Sequence, residues 1–179
     1  MTEDIAKILI PEDELREIIE RLGRQISVDY KDKNLLMVSV LKGSVVFMAD
    51  LMRRVTVPCS IDFMSVSSYG SGVKTSGVVR ILKDLELNLE GYDLLVVEDI
   101  LDSGLTLSYI VELLQARNPK SVKLCTLLDK PERRQVPVTP DYLGKEIPDE
   151  FVVGYGLDYN EKYRNLPFVG VLDKTVYAR

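Results

Sequence analysis

Residues 94–106 read LLVVEDILDSGLT. The four apolar residues Leu94, Leu95, Val96 and Val97 leave no polar side to face water, so a strand built from them has to be covered on both faces. Leu107, Ile110, Val111 and Leu114 then recur at helical spacing, which predicts a helix directly afterwards. Adjacent side chains on a strand point in opposite directions. For Glu98 and Asp99 to reach one ligand together, they must stand where the strand ends. The turn behind them carries Asp102, Ser103, Gly104 and Thr106.

The same arrangement recurs. Residues 35–41 (LLMVSVL) are nearly all apolar, and Lys42, Gly43 and Ser44 separate them from a helix carrying Phe47, Met48, Leu51 and Met52. Residues 122–128 (VKLCTLL) form another strand, ending at Asp129, Lys130 and Pro131. Strands are also expected at 61–67, 78–82 and 168–172. Leu15, Ile18, Ile19, Leu22 and Ile26 place an amphipathic helix over residues 12–27. Strands alternating with helices predict an α/β fold with a mostly parallel central sheet flanked by helices. Residues 1–179 are read as one domain, with a small subdomain built from the N-terminal helix and the C-terminal strands.

Charge and composition narrow the function. Against 23 basic residues stand 28 acidic ones, a formal charge of −5, with no basic run of the kind that binds nucleic acid. The charged start MTEDIAKILIPEDE resembles neither a signal peptide nor a membrane span, so a cytoplasmic protein is expected. Cys59 and Cys125 sit in apolar segments and read as buried thiols. The chain contains no histidine, which rules out a histidine-based triad and leaves proton transfer to other side chains.

Open parallel sheets bind ligands beyond the carboxyl ends of their strands. Two carboxylates there suit the vicinal hydroxyls of a ribose and would repel phosphate. Ser103, Gly104, Leu105 and Thr106 offer hydroxyls, backbone N–H groups and a helix N-terminus, an anion cradle without lysine. Asp102 reads either as a helix cap or as a general base, Lys42 and Gly43 either as a surface turn or as an anion loop, and Lys130 either as solvated or as part of the site. The polar, glycine-rich stretch SYGSGVKTSG after residue 67 is either a hairpin connection or a lid.

The stretch VVEDILDSGLT resembles the phosphoribosyl-pyrophosphate motif of the type I phosphoribosyltransferases. LKGS at 41–44, SSYGSG at 67–72, LLDKPERR at 127–134 and PDEFVVGYGLDYNEKYRNLP at 148–167 are similar, in order and spacing, to the bacterial hypoxanthine-guanine members of that family. The resemblance implies Mg²⁺-dependent transfer of phosphoribosyl from phosphoribosyl pyrophosphate to a 6-oxopurine base, giving IMP or GMP in purine salvage. It implies that Glu98 and Asp99 hold the ribose, that Asp102 is the base, and that Ser103, Gly104, Leu105 and Thr106 take the 5′-phosphate. Lys42, Gly43 and Arg164 would bind pyrophosphate, with a cis peptide before Lys42. Ser68 and Tyr69 would belong to the lid. Lys130, Phe151 and Val152 would recognise the purine, and Glu98, Asp99 and Asp158 would hold magnesium directly or through water. A homodimer or homotetramer is implied, with no nucleic-acid or membrane partner.

Two positions depart from some relatives: Ser103 stands where threonine is common and Leu105 where others carry lysine. Transfer to xanthine or adenine, and a sensor that binds the donor without turnover, are the alternatives. Lys130 argues against adenine, and retention of base, lid and purine segment argues against the sensor.

Overall fold

The computed structural model describes residues 1–68 and 79–178. In chain order it contains β1 (Ile5–Ile10), α1 (Glu12–Asp29), β2 (Leu35–Leu41), α2 (Val45–Met52), β3 (Cys59–Ser68) and β4 (Val79–Lys83). There follow β5 (Asp93–Leu101), α3 (Leu105–Gln115), β6 (Ser121–Asp129), β7 (Tyr142–Glu146), β8 (Val152–Val153), β9 (Val169–Leu172) and a short α4 (Lys174–Tyr177).

Six strands form the main sheet in the order β4-β3-β2-β5-β6-β7. All neighbours are parallel except the edge pair β3–β4. The expected mostly parallel sheet is therefore present, with β5 near its middle. Alternate residues of the apolar runs go to opposite faces. Leu35, Met37, Leu95 and Val97 join α1 and α2 in one core, while Leu36, Val38, Val40, Leu94 and Val96 join α3 in the other. Burial on two faces is why these runs carry almost no polar residue.

Beside this layer stands a small sheet, β1-β9-β8, all antiparallel. Both chain ends contribute to it, but the N-terminal contribution differs from the one expected. Helix α1 packs on α2 and β7 of the main layer, and the strand ahead of it, β1, enters the small sheet. The cause lies in exposure. Three of the six β1 residues are exposed, so IAKILI lacks the clean alternation that marks a half-buried strand. Strand β7 was equally silent, being five residues with only Tyr142 fully buried, among prolines.

Both cysteines are free; Cys125 is buried and Cys59 half-buried. Among the described residues no helix is long and apolar enough to cross a membrane.

Leu22 is fully buried in α1, facing the sheet. Leu22→Ala is expected to destabilise the protein by about 2–5 kcal/mol through lost burial and a residual cavity. Urea unfolding would read this as a lower midpoint at unchanged slope.

Candidate active site

Strands β2, β5 and β6 run in parallel and release their loops at one edge of the sheet. The ladder between β2 and β5 stops at Ser39–Val97, whereas that between β5 and β6 continues to Leu101–Asp129. One side of β5 is thus uncovered from Glu98 onward. The strand does not end before the acidic pair, as expected, but runs through it to Leu101. The two carboxyls still lie close enough for the charge of one to act on the other. On the uncovered side Asp99 is free to turn back, and its Oδ1 accepts from the N–H of Ile100 at 2.7 Å.

Burial pushes both carboxyls up. Glu98 is raised well above the usual range by desolvation and then by the charge of Asp99. Asp99 is raised by desolvation, against the opposing pull of the Ile100 N–H and the Arg164 charge. Among the described residues Glu98 Oε1 is buried without a hydrogen-bond partner. A buried acceptor of this kind costs stability until a donor or a cation arrives.

The loop after β2 lies directly against this pair. Its Leu41–Lys42 peptide is cis, as expected. Two buried hydroxyls secure it from below: Ser39 Oγ and Ser44 Oγ are 2.7 Å apart, and Ser44 Oγ donates to the Val40 carbonyl at 2.5 Å. A methyl on Gly43 would overlap Asp99 Oδ2, and one on Gly156 would overlap the Gly43 carbonyl. Glycine at both places lets three segments, 154–156, 42–44 and the end of β5, stack backbone to side chain.

On the other side of the pair, Gly104 caps α3 in the left-handed region, with φ +83°. The first backbone bond of the helix runs from Ser108 N–H to the Gly104 carbonyl at 2.8 Å. The N–H groups of the first turn therefore lack intrahelical acceptors and face outward. Leu105 N–H donates to Ser103 Oγ at 3.3 Å. Asp102 does not cap the helix. Arg133 Nε stands 2.5 Å from its Oδ1 in an ion pair without hydrogen-bond alignment.

Arg133 also donates to Asp149 Oδ1 at 3.3 Å, and Lys130 Nζ lies 3.9 Å from the same oxygen. Lys130 is 7% exposed, so it is not a solvated turn residue. Desolvation pushes its ammonium below the ordinary lysine range. Its neighbour Arg134 clasps the Asp102 loop, with Nε donating to the Asp102 carbonyl at 3.2 Å and further bonds to the Val138 carbonyl and the Asp129 carboxylate.

Phe151 is 37% exposed and stacks on Tyr177 at 4.8 Å between centroids. Val152 lies in β8, an edge strand of the small sheet, so one side of that strand's backbone lies outside the ladder. Arg164 donates to the Gly156 carbonyl at 2.8 Å and pairs with Asp158 at 3.1 Å. Among the described residues no three metal-capable side chains converge, so Asp158 is not brought into one cluster with Glu98 and Asp99. Ser68 closes β3, and Tyr69 lies outside the described residues.

Residues 6–160 match the family described as the phosphoribosyl transferase domain. The chain belongs to the phosphoribosyl transferase family. It is 51% identical over 177 residues to a hypoxanthine-guanine phosphoribosyltransferase of Bacillus subtilis, covering 99% of this chain and 98% of the relative. A bifunctional TilS/HprT protein of Listeria monocytogenes is 56% identical over 178 residues, 99% of this chain but 28% of the length of that relative. Among solved structures, a hypoxanthine phosphoribosyltransferase of Staphylococcus aureus superposes with a TM-score of 0.98 at 50% identity, covering 100% of this chain and 97% of the other.

In this member of the family the described loops at 42–44, 102–106 and 129–131 lie together at one edge of the sheet. Arg133, Arg134 and Asp149 were passed over, although all three contact the predicted loop or its lysine. Their signal was faint. A double arginine after Lys-Pro-Glu reads as an ordinary charged turn until the fold shows what it faces.

Glu98→Gln is expected to stabilise the ligand-free protein by about 1 kcal/mol while impairing activity, since it removes charge from a desolvated pair. Calorimetry at neutral pH would then show a melting temperature roughly 2–4 °C higher. A lower one would mean that the Glu98 carboxylate is well satisfied as it stands.

Proposed function

We propose that the protein transfers the phosphoribosyl group of phosphoribosyl pyrophosphate to hypoxanthine or guanine, giving IMP or GMP and pyrophosphate. The observation that carries this is the desolvated Glu98–Asp99 pair, with its unpartnered Glu98 oxygen, set between a helix N-terminus and a loop bearing a lysine. Each part of a sugar bearing a phosphate at one end and a pyrophosphate at the other has its counterpart in that order. The names of the close relatives from Bacillus subtilis and Staphylococcus aureus support the same reading.

On this reading Glu98 and Asp99 accept from the ribose hydroxyls. The hydroxyls and backbone N–H groups of Ser103, Gly104, Leu105 and Thr106 bind the 5′-phosphate. Lys42, the Gly43 amide and Arg164 receive the pyrophosphate, whose bond to C1 breaks as a purine nitrogen bonds to that carbon. Asp102 takes the proton from the purine N7. Positive charge at C1 and negative charge on the leaving group develop together, and the fixed cations stabilise the second. Ser68 and Tyr69 are assigned to a lid that keeps water from capturing the sugar cation.

Lys130 donates to O6 of the base, Phe151 stacks on its face and Val152 meets its edge through backbone groups. The buried position of Lys130 supports this role, because a desolvated lysine rejects a partner that cannot accept from it. Adenine presents an amino group there and is disfavoured, while xanthine shares the oxygen and is the base to compare.

The residues fit a magnesium ion shared with the substrate. No all-protein cage is present among the described residues, and this ion is usually held by one or two carboxylates, substrate oxygens and water. Glu98 and Asp99 would hold it beside the ribose and Asp158 through water. When bound, Mg²⁺ neutralises charge on the pyrophosphate. We place the reaction in the cytoplasm and expect a homodimer or homotetramer, which sedimentation would resolve.

Incubating the protein with Mg²⁺, phosphoribosyl pyrophosphate and each of hypoxanthine, guanine, xanthine and adenine tests the proposal, and no nucleotide from any base would refute it. Asp102→Asn is expected to lower kcat by about 10²–10⁴, the scale of general acid–base catalysis, with donor affinity nearly unchanged. Equal loss of both would make Asp102 structural. Lys130→Gln is expected to lower kcat/KM for hypoxanthine while leaving the Kd for phosphoribosyl pyrophosphate unchanged, read by isothermal titration.

A further inference from the structure

Glu161 holds a place that the proposed reaction does not use. Its carboxylate spans the two cations assigned to pyrophosphate, with Oε2 accepting from Lys42 Nζ at 3.0 Å and Oε1 from Arg164 at 3.2 Å. The backbone turns sharply to deliver it. Asn160 and Glu161 have φ of +51° and +61°, a region that residues with a side chain seldom adopt. The Glu161 N–H donates to Asp158 Oδ2 at 2.9 Å, which anchors the turn.

The pair has no evident structural purpose. The side chains of Lys42 and Glu161 are both 65% exposed, and exposed ion pairs add little to stability. What the arrangement does supply is an anion with two acceptor oxygens, one on a lysine and one on an arginine. A phosphoryl group offers the same cations the same charge and the same pattern of acceptors.

We infer that Glu161 is an internal stand-in for the pyrophosphate group. Without ligand it holds Lys42 and Arg164 within one carboxylate span of each other, and the incoming pyrophosphoryl oxygens displace it. The inference rests on the reading that Lys42 and Arg164 bind pyrophosphate. Its consequence is a competition. Glu161 weakens donor binding and speeds departure of pyrophosphate, because the cations have an alternative partner the moment the product loosens.

Isothermal titration of inorganic pyrophosphate, with Mg²⁺, into the unmodified protein, Glu161→Gln and Lys42→Gln tests this. Glu161→Gln keeps the size of the side chain and removes its charge. It is expected to bind pyrophosphate roughly three- to tenfold more tightly, the scale of removing two exposed ion pairs. Its KM for phosphoribosyl pyrophosphate should fall, and pyrophosphate should inhibit it more strongly as a product. Unchanged or weaker binding by Glu161→Gln, with binding still lost in Lys42→Gln, overturns the stand-in role alone. Binding indifferent to Lys42→Gln overturns the pyrophosphate reading beneath it. Thermal unfolding of Glu161→Gln at the same temperature as the parent protein would show that the change acts on the site.

Discussion

The central strands β2, β5 and β6 are buried on both faces, and everything functional hangs on where that burial stops. A parallel strand covered by helices on each side can carry polar groups only beyond the end of its cover. In β5 the cover is lost on one edge after Val97, where the ladder to β2 ends, and the next two residues are Glu98 and Asp99. The hydrophobic demand of the sheet therefore fixes the depth at which the carboxylates sit. It also fixes how close the loop after β2 can come to them, and Gly43 shows the limit of that approach by leaving no space for a methyl against Asp99.

A second consequence is electrostatic. An acidic protein with a formal charge of −5 cannot draw a phosphorylated ligand by its overall field, so local groups must do so. The structure concentrates charge in two paired sets. One links Asp102, Arg133, Asp149 and Lys130 along the proposed base side. The other links Lys42, Glu161, Arg164 and Asp158 along the proposed pyrophosphate side. Between them lies a carboxyl pair with an acceptor left over. Cations already satisfied by exposed carboxylates exchange partners at small cost, whereas the desolvated pair is unfavourable until something binds. That contrast makes the middle of the site the part most changed by a ligand.

The parts of the site that could be read in the sequence were those in which one segment carries its own chemistry. The acidic pair, Asp102 and the Ser103–Thr106 turn follow one another along the chain, and Lys42–Gly43 directly follows an apolar strand. The parts that could not be read depend on distant segments meeting. Arg133 finds Asp102 across 31 residues, and Glu161 finds Lys42 across 119. Neither residue stands in a pattern of its own. The strand β1 was hidden for a related reason: half of its residues face solvent, so its hydrophobic pattern is weak and only pairing with β9 at the far end of the chain makes it a strand.

The amino-acid sequence by itself determined the layered α/β fold, because uninterrupted apolar runs admit only two-sided burial. It also determined the order of acidic, hydroxyl and glycine residues at the head of α3, since local spacing is preserved whatever the chain does elsewhere. Only the tertiary structure decided that β5 continues through Glu98 and Asp99, that Lys130 is buried, and that Lys42 and Arg133 are paired with carboxylates from other loops. Those outcomes depend on which neighbour ends first and which loop lies opposite. They are properties of contacts between remote segments, and such contacts leave no local periodicity in a single chain.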